Sequence, residues 1–219
     1  MQHAGRVSSV NAMAWAPSAL SPRAPGYRRR MALVLFDLNG TLLDPGPRKD
    51  VIQAAVRLAM IHQLGGEFRP LADLIRAAGG EVPEEMPPYP DAAGALDRLA
   101  GEGHRLAVLT NSARVTGDAH LQRAGLRDRF DRVIGVDEVE AYKPDRRAYA
   151  YALDQLGARP RDAWLVAAHD WDIIGAHAAG LRTAFVERGG PPPATVAPDA
   201  RVASLEELRL PRSAAGGPS

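Results

Sequence analysis

Cysteine is absent from the 219 residues. That excludes a disulfide-stapled scaffold, thiolate catalysis and cysteine-ligated zinc, and it fits a reducing cytoplasm. No run approaches the roughly 18 to 20 apolar residues of a membrane span, so no membrane is expected among the partners. An excess of one charge is missing too. Lys+Arg number 27 and Asp+Glu 26, leaving +1, which argues against a dedicated partner among nucleic acids or other polyanions. Lysine is nearly missing: only Lys49 and Lys143 occur, so 25 of the 27 basic residues are arginine. The length suits one α/β domain with or without a small inserted lobe, and 46% apolar residues can bury a sizeable core.

The charge is unevenly placed. Residues 1–30 hold five arginines, four serines, three prolines and no acid, which leaves 22 basic and 26 acidic residues, or −4, for the rest. An Arg- and Ser-rich, acid-free leader resembles an organelle transit peptide in composition but lacks the apolar stretch of a secretory signal. Met31 stands just before the first expected strand, so residues 1–30 are read as a non-native extension from an upstream start codon or as a disordered tail. Residues 211–219, small and Pro/Gly-rich, are expected to be a disordered tail.

Between the tails, apolar runs bounded by turn signals predict strands at 32–36, 106–109, 132–136, 164–168 and 183–186. Ala/Leu/Arg-rich stretches with helical spacing lie between most of them, at 92–100, 115–124 and 145–156. This alternation predicts a doubly wound, Rossmann-like parallel sheet covered on both faces. Right-handed crossovers then bring the loops after the strands to one edge, where such folds build their sites. The pattern breaks once, with two predicted helices (about 50–64 and 70–78) and no strand between Asp44 and Tyr89. Residues 45–88 are therefore read as a small helical cap inserted after the first strand, with 31–44 and 89–210 forming the catalytic core.

Four strand ends carry chemistry. The first is Phe36-Asp37-Leu38-Asn39-Gly40-Thr41, an acid closing a buried strand where backbone amides can gather around an anion; Asp37 can equally cap a helix, and Asn39-Gly40 can be a plain turn. The second is Leu109-Thr110-Asn111-Ser112, suited to a substrate carboxylate or phosphate, or to capping the next helix. The third holds Lys143-Pro144-Asp145, where a compact ammonium can sit against a carboxylate or simply face solvent. The fourth is Ala167-Ala168-His169-Asp170-Trp171-Asp172-Ile173, whose histidine and tryptophan, taken alone, suit a structural role. All four fall on the same edge of the sheet, and their joint occurrence in this order is far more specific than any one of them.

Together these residues resemble the haloacid dehalogenase superfamily. Asp37-x-Asn39-Gly40-Thr41 is similar to its first motif and Leu109-Thr110-Asn111-Ser112 to its second. Lys143-Pro144-Asp145 is similar to the third, and Asp172-Ile173 with the Ala-rich stretch to Gly180 to the fourth. The likeness runs from about Ala32 to Val186. It implies a Rossmann-like core with a cap and a nucleophilic Asp37 that forms a covalent intermediate.

Phosphatases of the superfamily generally carry a second Asp two residues after the nucleophile as general acid; that place is Asn39 here. Many also have an acid where Ala168 stands, helping to hold Mg²⁺. Asp37, the Asn39 backbone carbonyl and Asp172 form only a poorer magnesium site, since a hard cation wants several oxygen ligands. These departures, and the string Ala167 to Asp172, resemble the metal-independent type II (L-2-haloacid) dehalogenases, which implies no cofactor and a small 2-halo acid as substrate. By that resemblance Asp37 attacks the halogen-bearing carbon and expels halide, and water hydrolyses the ester to give a 2-hydroxy acid. Lys143 keeps Asp37 ionised, and Asp172 orients Lys143 or the water. Thr110 and Asn111 bind the substrate carboxylate or halide, Thr41 and Tyr149 donate hydrogen bonds to the substrate, and Asn39 and His169 line its site.

One departure cuts the other way. The branch uses a cap arginine to stabilise the leaving halide, and aligning the lobe on Gly66-Glu67-Phe68-Arg69 puts Ile52 at that place. Arg48, Lys49 and Arg57 are the candidate substitutes. Only 73 positions separate Asp37 from Thr110, shorter than a full dehalogenase cap requires. A magnesium-dependent phosphatase and a degenerate, non-catalytic member of the superfamily remain the alternatives. The branch commonly dimerises through cap and core helices, so the resemblance also raises a homodimer, a transfer that the shortened lobe weakens.

Overall fold

The computed structural model describes residues 32–211, and the expectations for residues 1–30 and for all of the C-terminal tail but Pro211 lie outside that range. Six strands form one sheet: β1 (Leu33–Phe36), β2 (Arg105–Thr110), β3 (Arg132–Gly135), β4 (Ala163–Ala167), β5 (Arg182–Val186) and β6 (Ala200–Val202). Their order is β3-β2-β1-β4-β5-β6, and every neighbouring pair is parallel. The first five strands match the expected runs to within a residue or two. β6 was not expected: its three residues, Ala200-Arg201-Val202, are half-buried or exposed and form no apolar run.

Alternation along the strands sorts the core into two layers, because successive side chains point to opposite faces. Val34 and Phe36 of β1, Leu106 and Val108 of β2, and Trp164 and Val166 of β4 pack into one layer. Leu33 and Leu35, Ala107 and Leu109, and Ala163, Leu165 and Ala167 pack into the other. Helices α5 (Arg146–Leu156) and α6 (Asp170–Ala178) cover the second face through Tyr149, Ala152, Leu153, Ile173 and Ala176. On the first face lie α3 (Ala92–Gly101) and α4 (Arg114–Arg123), through Ala92, Ala95, Leu96, Leu99 and Leu121. The strands read as continuous apolar runs because both faces are buried.

Between β1 and α3 the chain holds α1 (Lys49–Leu64) and α2 (Leu71–Ala77). The buried positions of α1, Ile52, Ala55 and Ala59, recur at helical spacing on one side. Gly66 at φ 80° lies in the turn after α1. Two anchors tie α1 and its following turn to the core loop before α5. The Gln63 amide donates to the Tyr142 carbonyl and accepts from the Tyr142 N–H at 2.6 Å. The Tyr142 hydroxyl donates to the Arg69 carbonyl, and its ring stacks on Phe68. No helix among the described residues is long and apolar enough to cross a membrane.

Candidate active site

The strand order reverses between β1 and β4, the place where open α/β sheets carry their ligands beyond the carboxyl ends of the strands. The residue after β1 is Asp37, and those after β4 are Ala168 and His169. The Asp37 N–H still donates to the Val166 carbonyl, so the carboxylate is fixed at the end of the strand ladder.

Asp37 is 4% exposed, and both its oxygens are engaged. Oδ1 accepts from Lys143 Nζ at 2.9 Å. Oδ2 accepts from the Thr41 hydroxyl at 2.9 Å and lies 3.1 Å from His169 Nδ1. Burial pushes the Asp37 carboxyl up, but the Lys143 ammonium and then the His169 contact outweigh it, holding the carboxyl well below the usual carboxylate range. Asp37 is therefore an anion when it meets a ligand.

Lys143 is fully buried, so the surface alternative for this lysine is excluded. Its ammonium donates to Asp37, to Asp172 Oδ2 at 2.7 Å and to the Leu109 carbonyl at 2.7 Å, which uses all three donors. Burial pulls its pKa down, yet the charges of Asp172 and Asp37 outweigh burial and raise it, so the ammonium stays charged. Asp172 is also fully buried. Burial raises its pKa, Lys143 opposes this, and the neighbouring Asp37 charge adds to the rise. Its Oδ1 accepts from the Tyr149 hydroxyl at 2.6 Å. Tyr149 is raised well above the ordinary tyrosine range, first by burial and then by Asp172, so it remains a donor. The approach of α6 that makes this possible depends on Gly175: a Cβ there would stand 2.6 Å from both Tyr149 Oη and Pro144.

The other expected residues fall around this core. Thr41 links two strand ends, donating to Asp37 and accepting from the Ala168 N–H at 3.0 Å. The Asn111 amide clasps the Lys143 backbone, accepting from its N–H at 2.9 Å and donating to its carbonyl at 3.3 Å. The Thr110 hydroxyl accepts from the Ser112 N–H, and Asn39 Nδ2 donates to Ser112 Oγ at 3.1 Å, leaving Asn39 Oδ1 without a partner. His169 stacks on Trp171 with ring centroids 5.0 Å apart. Helix capping explains little here: α4 starts at Ala113 without a side-chain cap, whereas Asp145 caps α5.

A cavity of about 350 Å³ opens above Asp37. Asp37, Asn39, Thr110, Asn111 and His169 line its core side, while Ile52, Val56, Met60 and Leu71 form an apolar wall with Arg57 and Gln53 beside them. Lys143, Asp172, Thr41 and Tyr149 lie behind the floor and do not line the cavity, and their polar groups serve Asp37, one another and nearby backbone. Of the three candidate cations of the lobe, Arg48 is exposed and absent from the wall. The Lys49 ammonium donates to the Arg188 carbonyl at 3.3 Å. Arg57 reaches the wall and has no ion-pair partner among the described residues.

Magnesium does not fit this donor set. Every oxygen of Asp37 and Asp172 already accepts from Lys143, Thr41, His169 or Tyr149, and the ammonium occupies the space between the carboxylates. Sequence reasoning missed Arg188. It forms a two-pronged pair with Asp91 at 2.6 and 3.0 Å, stacks over Tyr89 and donates to the Thr41 carbonyl, bracing the loop that carries Asp37. Nothing in the motif spacing marks it, since its partners are a backbone oxygen and two residues, Tyr89 and Asp91, that belong to none of the four motifs.

(S)-2-haloacid dehalogenase 1 of Pseudomonas sp. (strain CBS-3) is 37% identical over 126 residues, covering 57% of this chain and 56% of that protein. The chain thus aligns with about half the length of this and other curated (S)-2-haloacid dehalogenases that it matches. Pyrophosphatase PpaX of Bacillus velezensis is 28% identical over 184 residues, covering 72% of this chain and 84% of that protein. Among solved structures, the L-2-haloacid dehalogenase from Xanthobacter autotrophicus superposes with a TM-score of 0.70 at 26% identity, covering 81% of this chain and 96% of that one. The family profile described as haloacid dehalogenase-like hydrolase matches residues 58–186, beginning after the Asp37 loop and taking in the second, third and fourth strand ends. With more than half its length matched and a doubly wound sheet like that of its solved neighbours, the chain belongs to the haloacid dehalogenase-like hydrolases.

Proposed function

We propose that the protein hydrolyses a small 2-halo acid to a 2-hydroxy acid through a covalent ester on Asp37, without a metal or other cofactor. The observation that carries this reading is the Lys143 ammonium seated between Asp37 and Asp172, where it keeps Asp37 ionised and fills the place a cation would need. Asp37 attacks the halogen-bearing carbon, the carbon–halogen bond breaks and halide leaves. Water then attacks the Asp37 carboxyl carbon and frees the hydroxy acid. Asp172 and Tyr149 hold Lys143 in place, and Asn111 fixes its backbone. Thr41 fixes Oδ2 of the nucleophile, while Asn39, Thr110, Asn111 and His169 face the substrate, with the Thr110–Asn111 corner receiving its carboxylate. Residues 45–88 act as the cap, and its Arg57 supplies the charge that the departing halide needs, in place of an arginine at Ile52.

A phosphatase reading draws support from the similarity to the pyrophosphatase. Against it stand Asn39, which cannot act as a general acid, and the full engagement of the two carboxylates. Chloride release from 2-chloropropionate in EDTA, abolished by Asp37→Asn, supports the proposal. Hydrolysis of p-nitrophenyl phosphate that EDTA stops would favour the phosphatase. Silence in both assays from the folded protein would leave a non-catalytic member.

A further inference from the structure

The two oxygens of Asp37 differ in their surroundings, and the difference points to a second reacting side chain. Oδ1 is bound by Lys143, which is fully buried behind the floor. Oδ2 is 3.1 Å from Nδ1 of His169, the one donor to Asp37 that also lines the cavity. The imidazole is held in place from two sides. Its ring stacks on Trp171, and its Cε1 and Nε2 pass Gly40 so closely that a Cβ there would stand 3.2 Å from both. Gly40 also has φ 79°, so the turn carrying it both favours glycine and makes room for the ring.

On the dehalogenase reading above, we propose that His169 is a catalytic residue of the second half-reaction: the base that activates water against the Asp37 ester and the acid that protonates the departing oxygen. Oδ2, on the side of the cavity-lining His169, forms the new bond to the substrate carbon, and Oδ1 becomes the ester carbonyl oxygen. Alkylation removes the charge that favours a proton on Nδ1, and the ring passes that proton to Nε2 through cavity water. Water then adds to the carboxyl carbon while its proton moves to Nδ1. Lys143 stabilises the negative charge that develops on Oδ1. The bond from the carboxyl carbon to Oδ2 breaks, Nδ1 returns the proton to Oδ2, and the hydroxy acid leaves with Oδ2 as its hydroxyl oxygen. One water is consumed, Asp37 regains a carboxylate with the water's oxygen, and the second water proton goes to solvent.

Asp172 is poorly placed for this work. Lys143 and Tyr149 occupy its two oxygens, and it does not line the cavity. The charged groups that share the surroundings of His169 are Asp37 after β1, Asp170 beside it, Lys49 and Arg57 from α1, and Arg188 after β5.

The test uses the full chain under single-turnover conditions with 2-chloropropionate, following chloride by quench and the ester by intact mass. His169→Asn keeps a hydrogen-bond donor but cannot carry the proton. It is expected still to release about one equivalent of chloride, with that step slowed far less than the second, then to accumulate the ester and hydrolyse it roughly 10²-fold more slowly. The pH profile of wild-type ester hydrolysis should carry an acid limb that is missing in His169→Asn and in His169→Gln. Ester hydrolysis at the wild-type rate, equal slowing of both steps, or an unchanged acid limb would overturn the role of His169 alone. No chloride from the wild type would overturn the dehalogenase reading beneath it.

Discussion

The floor of the cavity and its wall are organised differently. In the floor and directly behind it, Asp37, Lys143 and Asp172 are almost completely buried, and every carboxylate oxygen and ammonium hydrogen has a partner. In the wall, α1 offers Ile52, Val56 and Met60 with an exposed Arg57 that has no ion-pair partner among the described residues. A buried ion network ties chemistry to folding, since removing one member leaves uncompensated charge behind. An apolar wall contributes shape and charge without that coupling. Floor substitutions should therefore damage activity and stability together, and substitution of the exposed Arg57 activity alone.

The largest effect is expected at the nucleophile. Asp37→Asn should lower halide release by on the order of 10⁴-fold or more, as loss of a nucleophile does elsewhere, with the fold retained by circular dichroism. Retained turnover would break the distinction between floor and wall at its centre.

Lys143→Met should be the most destabilising change, costing about 3–5 kcal/mol in urea unfolding because two buried carboxylates lose their counter-charge. It also alters the acid limb of stability. Asp37 titrates below its unfolded value near 3.9, so its contribution is complete above that value and is lost as pH falls toward the depressed folded value. Without Lys143 that protection shrinks, and the acid-unfolding midpoint should move to higher pH. An unchanged midpoint would show that the ammonium does not hold Asp37.

Arg57→Ala should slow the halide-releasing step by roughly 10- to 100-fold, an order set by the loss of one charge-stabilising group, and leave the urea midpoint unchanged. A matching loss of stability would erase the contrast. Tyr149→Phe removes the donor to Asp172 Oδ1 and should cost about 1–3 kcal/mol for the buried acceptor left unpaired, with a smaller fall in rate. At the bottom of the scale, Leu64, 91% exposed at the end of α1, should tolerate serine within about 0.5 kcal/mol.

Much of the floor was legible because its parts sit at strand ends. A buried parallel strand writes itself as an apolar run, and the polar residue that ends it marks the sheet edge. Asp37 follows β1, Thr110 closes β2, and His169 stands two residues past β4. Lys143 stood out because lysine is so rare in the chain. Less legible was which side chains face a ligand. Tyr149 and Thr41 were expected among the ligand-facing donors, yet their hydroxyls serve Asp172 and Asp37 from behind, and only three-dimensional packing separates those layers. Arg188 left no trace because it acts through a backbone carbonyl. β6 escaped because a short, half-exposed edge strand has no apolar signature.

The central claim, that Asp37 carries the reacting group, has one direct measurement. A single turnover of 2-chloropropionate by excess enzyme in oxygen-18 water separates attack by the protein from attack by water. If Asp37 is the nucleophile, the first turnover yields unlabelled lactate and places one oxygen-18 in the peptide containing Asp37. Label in the lactate and none in that peptide would contradict it.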